Sequence, residues 1–248
     1  MKIITISREF GSGGRELGKR LADALGWDYY DREIIDRVAG AEGLDRGYVD
    51  RVLERPVLGR APLTFGRSFS AAAYQSLRAG LLVREKEVIE GIARAGRDCV
   101  LVGRNADVYL RAQDPFTLFV CAAMSARIAR CRQRERGREA LSERELERSI
   151  RRIDRSRAAI RERLAGSAWG DPVSYCLTVN TTGWELKALA ALVAAWARSW
   201  FARREEAAER ADLAQDTERA FPEAGAGDGT PAKSPEAGAE TGRFVRGS

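Results

Sequence analysis

The sequence predicts a doubly wound α/β fold, in which a five-stranded parallel sheet lies between two layers of helices. Five short apolar runs alternate with amphipathic helical patterns along about the first 200 residues. Near-continuous apolar runs are typical of parallel strands that are buried on both faces, and the intervening helices supply the crossover connections. A glycine-rich turn between the first strand and the first helix is the third observation that favours this fold class.

Strands and helices can be placed along the chain from the spacing of the apolar residues. The runs that predict strands are residues 3–6, 27–30, 99–102, 116–121 and 175–179. Helical spacing predicts helices at residues 14–25, 32–40, 76–95, 125–136, 142–165 and 183–203. The fifth helix opens with Ser-Glu-Arg-Glu at 142–145, which is a capping box.

The chain divides into a folded domain and a tail. Residues 1–203 carry the predicted strands and helices, whereas residues 204–248 are rich in Ala, Gly, Pro and Glu and predict a disordered acidic tail. The polar residues 42–75 interrupt the alternation, so we place an inserted substrate-side segment at about 36–85. The arginine-rich segment at about 125–168 is predicted to form a lid.

The absence of histidine narrows the possible chemistry. The chain has no Ser-His-Asp or Cys-His nucleophilic site, no histidine general base and no histidine-ligated metal. Its four cysteines are scattered and form no CxxC pair, which favours buried thiols over disulfides or a zinc site. An enzyme of this composition works with arginines and carboxylates, and phosphoryl transfer is the reaction class that needs little else.

Charge and hydropathy limit the class of partner. No run of eighteen apolar residues and no signal segment occur, so we expect a cytoplasmic protein without membrane contact. The net charge is +6, and the arginine-rich segment suits either a lid that closes on polyphosphate or a nucleic-acid surface. The aromatic residues do not interleave with the arginines as a stacking platform requires, which disfavours nucleic acid.

The turn after the first strand is the strongest candidate for a binding site. The backbone N–H groups of Gly11, Ser12, Gly13 and Gly14 can converge on a phosphate at the N-terminus of the following helix. The loop lacks the lysine of the Walker A pattern, and Glu16 stands where the GxGxxG pattern has its third glycine. A phosphate cradle is therefore the favoured interpretation, and a simple tight turn is the alternative.

A second candidate follows the third predicted strand, in the segment LVGRNADVYL at 101–110. Arg104 lies at the carboxyl edge of the sheet, where ligands bind in open α/β folds. A guanidinium at this edge is well placed for an anion and poorly placed for packing. A surface arginine without a ligand is the alternative.

Three segments taken together resemble the cytidylate kinase-like family, a branch of the P-loop nucleoside monophosphate kinases. They are residues 4–35, the VLVGRNADVYL segment at 100–110 and the WGDPVSYCLTVNTTGW segment at 169–184. The resemblance covers about residues 1–200. It implies a three-layer P-loop kinase fold with inserted substrate-binding and lid segments. It also implies transfer of the γ-phosphoryl group of ATP to CMP or dCMP, with Mg²⁺.

The resemblance implies roles for the loop residues. Gly11 and Gly13 match glycines of the family's loop, which makes residues 11–15 the predicted cradle for the ATP phosphates. Gly14 stands where the family has the Walker lysine, and we expect the neighbouring Arg15 to supply the missing charge in catalysis. Glu16 replaces the magnesium-binding Ser or Thr, so no metal ligand is assigned to the chain.

Further roles follow from the same resemblance. The sequence Asp-Arg-Ser-Arg at 154–157 resembles the lid segment that clamps donor and acceptor phosphates, so Arg155 and Arg157 are predicted to be catalytic. Asn180 follows the last strand, near the expected position of the adenine of ATP. The predicted CMP-binding residues are Asp31, Arg37, Arg84, Arg104, Asn105 and Asp154.

The sequence therefore predicts a cytoplasmic kinase of small-molecule nucleotides that is a monomer or a homodimer. The missing lysine and the replacement by Glu16 support one alternative, a nucleotide-binding or sensing module with weak or no catalysis. A second alternative is a kinase for another small acceptor.

Overall fold

Five parallel strands form the centre of the protein. The computed structural model describes residues 1–54, 65–134 and 141–220. The strands are β1 (Ile3–Arg8), β2 (Asp28–Tyr30), β3 (Cys99–Val102), β4 (Phe116–Cys121) and β5 (Leu177–Asn180), and their order in the sheet is β2-β3-β1-β4-β5. Every neighbouring pair is parallel. The predicted α/β fold with a five-stranded parallel sheet is confirmed.

Eight α-helices connect and extend these strands within the described residues. They are α1 (Gly14–Leu25), α2 (Arg32–Glu42), α3 (Arg46–Glu54), α4 (Phe65–Arg94), α5 (Ala106–Tyr109), α6 (Met124–Arg134), α7 (Glu143–Ala165) and α8 (Leu186–Ala220). The predicted capping box at the start of α7 is confirmed, since the Ser142 hydroxyl accepts from the Glu145 amide and the Glu145 carboxylate accepts from the Ser142 amide.

The strand order reverses beside β1. This strand lies between β3 and β4, which follow it at a distance in the chain, and the glycine loop leaves its carboxyl end. Ligands of open α/β sheets bind at such a reversal, outside the carboxyl ends of the strands. The topology therefore places the loop and the segment after β3 at one edge.

Both faces of the sheet are covered, which gives the fold three layers. On one face Ile4 and Ile6 of β1 pack with apolar residues of α1 and α8. On the other face Ile3 packs with apolar residues of α2, α4 and α5. Successive strand residues point to opposite faces, so a strand that is buried on both sides needs the unbroken apolar run that the sequence shows.

The inserted segment and the C-terminal end of the predicted domain differ in detail from the sequence-based expectation. Helix α3 lies where only a polar insertion was expected, and it forms an apolar cluster with α2 and α4. Helix α4 begins at Phe65 rather than at 76. Residues 1–204 form one compact unit, and α8 continues to Ala220, into the stretch predicted to be disordered. Residues 221–248 of that tail lie outside the described residues.

None of the described helices is both long and apolar enough to cross a membrane.

Candidate active site

The glycine loop turns from β1 into α1 through left-handed backbone. Gly11 has φ 79° and Gly13 has φ 86°, and both values lie in the region that favours glycine. A Cβ atom at Gly11 would also lie only 3.0 Å from the Arg127 carbonyl oxygen, so this glycine allows the loop to approach α6. Helix α1 begins at Gly14. The first N–H groups of a helix have no carbonyl partner within it, so the start of α1 offers donors to an anion.

A network behind the loop fixes the Ser12 carbonyl. Its oxygen accepts hydrogen bonds from the Thr181 hydroxyl at 2.6 Å and from an Arg130 guanidinium nitrogen at 3.1 Å. Ser12 and Thr181 are fully buried. Asn180 itself is exposed, and its side chain accepts from the Thr182 amide at 3.0 Å. The segment after β5 therefore reaches the loop through Thr181 and not through Asn180.

The arginine-rich helices α6 and α7 hold the loop from the other side. The Asp154 carboxylate accepts from the Phe10 amide at 2.8 Å and forms an ion pair with Arg127. Arg127 also donates to the Phe10 carbonyl at 2.7 Å and contacts Glu9 at 3.2 Å. Asp154 was predicted to bind CMP, but its carboxylate is committed to the loop and to α6. It therefore braces the loop.

Four arginines surround the loop and line a cavity with it, here called the loop cavity. They are Arg8, Arg15, Arg134 and Arg157, and the remaining lining consists of residues 9–11, 13 and 14. Arg157 donates to the Arg8 carbonyl at 3.1 Å, and its guanidinium lies 5.7 Å from the centre of the Phe10 ring. The predicted cradle is thus lined with positive charge, which suits a polyphosphate.

Arg15 and Asp31, two of the predicted site residues, are in contact with each other. Asp31 is buried at the end of β2 and forms an ion pair with Arg15, whose side chain is 42% exposed. The same carboxylate lies 3.4 Å from Arg8. Asp31 therefore orients two arginines beside the loop instead of presenting a free carboxylate.

Arg8 is a site residue that the sequence analysis missed. Its side chain is 10% exposed and lies at the end of β1, directly before the loop. Burial, followed by the positive charge of Arg157, lowers the pKa of Arg8 to about 9, so the guanidinium remains charged at neutral pH. The sequence does carry a signal for Arg8, because this arginine ends a buried apolar strand directly before a glycine loop.

A second cavity, here called the β3 cavity, adjoins the loop cavity and shares Arg8 and Arg157 with it. Arg104 enters it from the turn after β3 and contacts Asp50 of α3 at 2.6 Å and Glu85 of α4 at 3.8 Å. The rest of the lining is Ser7, Leu53, Leu82, Gly103, Asn105, Ser156, Ile160 and Trp169.

The turn after β3 has an unusual backbone. Gly103, Arg104 and Asn105 have φ values of 80°, 59° and 51°, so two residues other than glycine adopt left-handed backbone in succession. Such conformations are costly and concentrate at functional sites. Arg104 and Asn105 both line the β3 cavity, and both were predicted to bind CMP.

Ser156 of α7 adds a buried hydroxyl to the β3 cavity. Its side chain is 1% exposed, and its oxygen has no hydrogen-bond partner among the described residues. A buried hydroxyl without a partner is costly, and such groups are common where a ligand completes the site.

Seven predicted site residues line neither cavity in the described part of the chain: Ser12, Asp31, Asp154 and Asn180, whose contacts are given above, and Arg37, Arg84 and Arg155. Arg37 is exposed and lies over the Tyr30 ring at 5.4 Å, and Arg155 is exposed on α7. Arg84 forms surface ion pairs with Glu42 at 2.7 Å and Glu87 at 2.5 Å. Neighbouring residues of a helix point about 100° apart, which is why Glu85 enters the cavity and Arg84 does not.

The carboxylates around the loop do not fit a magnesium site held by the protein. Glu16 forms hydrogen bonds with Arg20 at 2.9 and 3.0 Å, and the carboxylates of Glu9, Asp31 and Asp154 all contact arginines. No group of three candidate metal ligands occurs among the described residues. A magnesium ion here would be bound mainly through substrate phosphates.

The fold of this chain is similar to the folds of several solved structures. The chain is similar to an uncharacterized protein from Eubacterium ventriosum, with a TM-score of 0.58, 20% identity and coverage of 80% of this chain and 99% of that one. Weaker similarity links it to shikimate kinase from Acinetobacter baumannii (TM-score 0.47, 14% identity, coverage 78% and 90%). It is also similar to a gluconokinase from Sinorhizobium meliloti, with a TM-score of 0.42, 17% identity and coverage of 83% of this chain and 95% of that one.

Sequence comparison identifies the family. A comparison with curated proteins gave no match. The model of the cytidylate kinase-like family matches residues 3–183, which is more than half of the chain. This match supports a phosphotransferase that acts on a nucleotide or another small molecule, and it leaves the acceptor open. The glycine loop, the turn after β3 and the segment around β5 all lie within the matched residues, and the chain belongs to the cytidylate kinase-like family.

Proposed function

We propose that the protein transfers the γ-phosphoryl group of ATP to the phosphate of CMP or dCMP, which gives ADP and the nucleoside diphosphate. The observation that carries this proposal is the wall of Arg8 and Arg157 shared by the loop cavity and the β3 cavity. A donor phosphate in the first cavity and an acceptor phosphate in the second would meet at this wall. Membership of the cytidylate kinase-like family supports the same arrangement.

The loop cavity is the proposed site for the phosphates of ATP. The backbone N–H groups of Gly11 and of residues 13–15 favour negative charge at the N-terminus of α1, whereas the Ser12 N–H donates to the Glu9 carbonyl at 3.3 Å. Arg15 and Arg134 flank the loop and add two guanidinium groups. Because Asp154, Arg127 and Arg130 already hold the loop, little ordering is needed when the phosphates bind.

The β3 cavity is the proposed site for the acceptor nucleotide. Arg104 and Arg157 supply charge for its phosphate, and Asn105 and Ser156 supply polar groups for the sugar or the base. Leu82 and other apolar lining residues suit the faces of a pyrimidine ring. The lining of the β3 cavity would also admit other small anions. We therefore propose cytosine as the base on the ground of family membership.

The proposed step is a direct displacement at phosphorus. An oxygen of the acceptor phosphate attacks the γ-phosphorus, a new P–O bond forms, and the bond to the β–γ bridging oxygen breaks so that its electron pair leaves with ADP. The acceptor phosphate is already ionised, so no proton has to be removed and a chain without histidine can carry out the step. The protein contributes alignment and positive charge, with Arg157 at the junction of the two cavities.

A coupled assay for ADP release tests the proposal. Wild-type protein is incubated with ATP and, separately, CMP, dCMP, UMP, AMP and a set of small hydroxyl acceptors, with an acceptor-free reaction as the background. We expect the highest rates with CMP and dCMP. No ADP release above background with any acceptor, despite binding of ATP and CMP in calorimetry, would contradict the proposal and favour a nucleotide-binding module. ADP release with a hydroxyl compound alone would show that this compound, and not CMP or dCMP, is the acceptor.

A pair of variants locates the activity at the described site. Arg104→Ala removes an arginine of the β3 cavity, and we expect turnover to fall on the order of 10³-fold. Arg148→Ala removes an exposed arginine of α7 that contacts its own helix backbone, and we expect wild-type turnover. A loss below tenfold for Arg104→Ala would remove that residue from the mechanism.

A further inference from the structure

We propose that Arg8 takes the place of the lysine that the glycine loop lacks, and that its guanidinium contacts the phosphates at the junction of the two cavities. This inference rests on the proposed function and assigns the missing charge of that site to the last residue of β1. It moves this role from Arg15, where the sequence placed it, to a residue outside the loop.

The side chain of Arg8 occupies the space that a side chain at position 14 would need. Gly14 stands where a Walker lysine would be. A Cβ atom at Gly14 would lie 2.7 Å from Cβ of Arg8 and 3.3 Å from both Cγ and Cδ. Real Cβ atoms do not approach so closely, and the nearest atom belongs to the rigid start of the Arg8 side chain. With the backbone in this position, a side chain at 14 is therefore excluded by the side chain at 8, and the Arg8 side chain fills the space beside Gly14.

The guanidinium of Arg8 lies where the two cavities meet. A Cβ atom at Gly103 would lie 1.7 Å from Nη1 of Arg8, so the guanidinium rests on the bare backbone of Gly103. Arg8 lines both the loop cavity and the β3 cavity, and its Nη2 lies 3.4 Å from Asp31. The side chain thus runs from the end of β1 across the turn after β3, between the two proposed phosphate positions.

The charges around Arg8 favour an anion. Arg15, Arg104 and Arg157 all act on it, against the carboxylate of Asp31. A buried cation among other cations is costly unless negative charge compensates it, and the two phosphates of the proposed reaction would supply that charge.

Arg15 is less suited to the same role. Its side chain is 42% exposed, and Nε forms an ion pair with Asp31. It lines the loop cavity but is absent from the described lining of the β3 cavity, whereas Arg8 belongs to both.

Substitution of Arg8 by methionine tests the proposal. Arg8→Met keeps a side chain of similar length between Gly14 and Gly103 and leaves Asp31 with Arg15 as a partner. At saturating ATP and CMP we expect kcat to fall about 10³-fold. Arg8→Lys restores the charge, and we expect it to recover at least tenfold of that loss. A purely structural role would be met by methionine, so a kcat within threefold of wild type for Arg8→Met would overturn the proposal.

Arg15→Met is the matched control, because it removes a guanidinium that lines only the loop cavity. We expect it to lower kcat less than tenfold. A larger loss for Arg15→Met than for Arg8→Met would return the lysine's role to Arg15 and overturn the proposal.

Binding of inorganic tripolyphosphate separates this inference from the proposed function. Calorimetry at low ionic strength measures the affinity for this probe without any turnover or acceptor. We expect Arg8→Met to weaken binding at least tenfold and Arg15→Met to weaken it less. Equal affinity of wild type and Arg8→Met overturns the role of Arg8. Absence of wild-type turnover with every acceptor overturns the proposed function instead, and the tripolyphosphate result still decides for or against Arg8.

Discussion

The loop cavity and the β3 cavity share a wall but are built in different ways. The loop cavity is formed mostly by consecutive residues at 8–15, with Arg134 and Arg157 added from α6 and α7. The β3 cavity collects single side chains from β1, α3, α4, the turn after β3 and α7. A short continuous segment can therefore make a general phosphate site, whereas the shape and polarity that select one acceptor depend on how distant segments pack.

The two cavities also differ in the charge that they present. The loop cavity offers backbone N–H groups and four guanidinium groups, which suit any polyphosphate, and the carboxylate of Glu9 in its lining is paired with Arg127. The β3 cavity combines arginines with Glu85, a buried hydroxyl and apolar side chains. We therefore expect loss of an arginine at the shared wall or of Arg104 to stop the reaction, and variants of the other side chains in the β3 cavity to change the choice of acceptor.

The largest effect is expected at the shared wall. Arg157→Ala removes a guanidinium that both cavities use, and we expect kcat to fall about 10³-fold or more, by analogy with arginine fingers. Steady-state ADP release at saturating ATP and CMP measures the change. Arg148→Ala on the same helix serves as the control and is expected to keep wild-type kcat. A loss below tenfold for Arg157→Ala would mean that the shared wall takes no part in transfer.

A large loss of stability is expected at a buried ion pair between α5 and α7, neither of whose residues lines the loop cavity or the β3 cavity. Asp107 of α5 and Arg161 of α7 form an ion pair in which both side chains are nearly fully buried. Asp107→Ala leaves Arg161 buried without its carboxylate, which costs about 3–5 kcal/mol of unfolding free energy. Denaturant titration measures it. Glu147→Ala breaks an exposed pair with Arg151 and is expected to cost at most about 0.5 kcal/mol. Equal losses for both variants would contradict the prediction.

A moderate and selective effect is expected at Ser156. Its buried hydroxyl has no partner among the described residues and lies in the β3 cavity only. Ser156→Ala should raise KM for the acceptor by about tenfold or less, as expected for one hydrogen bond, while KM for ATP stays at the wild-type value. Initial rates with each substrate varied in turn provide the measurement. An equal rise of both KM values would contradict the separation of the two cavities.

The smallest effect is expected at Glu16. Its carboxylate is 44% exposed and pairs with Arg20 one helical turn away, an interaction worth about 0.2–0.5 kcal/mol. Glu16→Gln should leave kcat within twofold of wild type and barely change the thermal midpoint. A loss of more than tenfold in kcat, rescued by higher Mg²⁺, would instead identify Glu16 as a metal ligand.

The sheet and the glycine loop were predictable because their signals are local. A parallel strand that is buried on both faces needs a continuous apolar run, and all five strands were found in this way. Gly11 and Gly13 were found because left-handed backbone favours glycine, and Arg104 because it follows a buried strand. Helix α3 was missed because its stability comes from apolar contacts with α2 and α4.

The side-chain contacts of the site were less predictable, since they depend on the orientation of each helix. Arg84 and Arg155 lie on outward faces, one or two residues from Glu85 and Arg157, which enter the β3 cavity. A shift of one residue along a helix changes the direction of a side chain by about 100°, and sequence spacing alone does not fix the absolute orientation. The role of Asp154 could not be predicted either, because a carboxylate that braces a loop looks the same in the sequence as one that binds a ligand.

The crowding between Arg8 and Gly14 has a consequence for the evolution of the loop. Gly14→Lys alone would force the new side chain against Cβ of Arg8, and loss of Arg8 alone would leave the loop without either charge. The closest contact is between two Cβ atoms, and every residue except glycine has a Cβ. A lysine at position 14 therefore requires glycine at position 8 or a shift of the backbone, so this loop reaches a standard Walker arrangement only through changes at both positions.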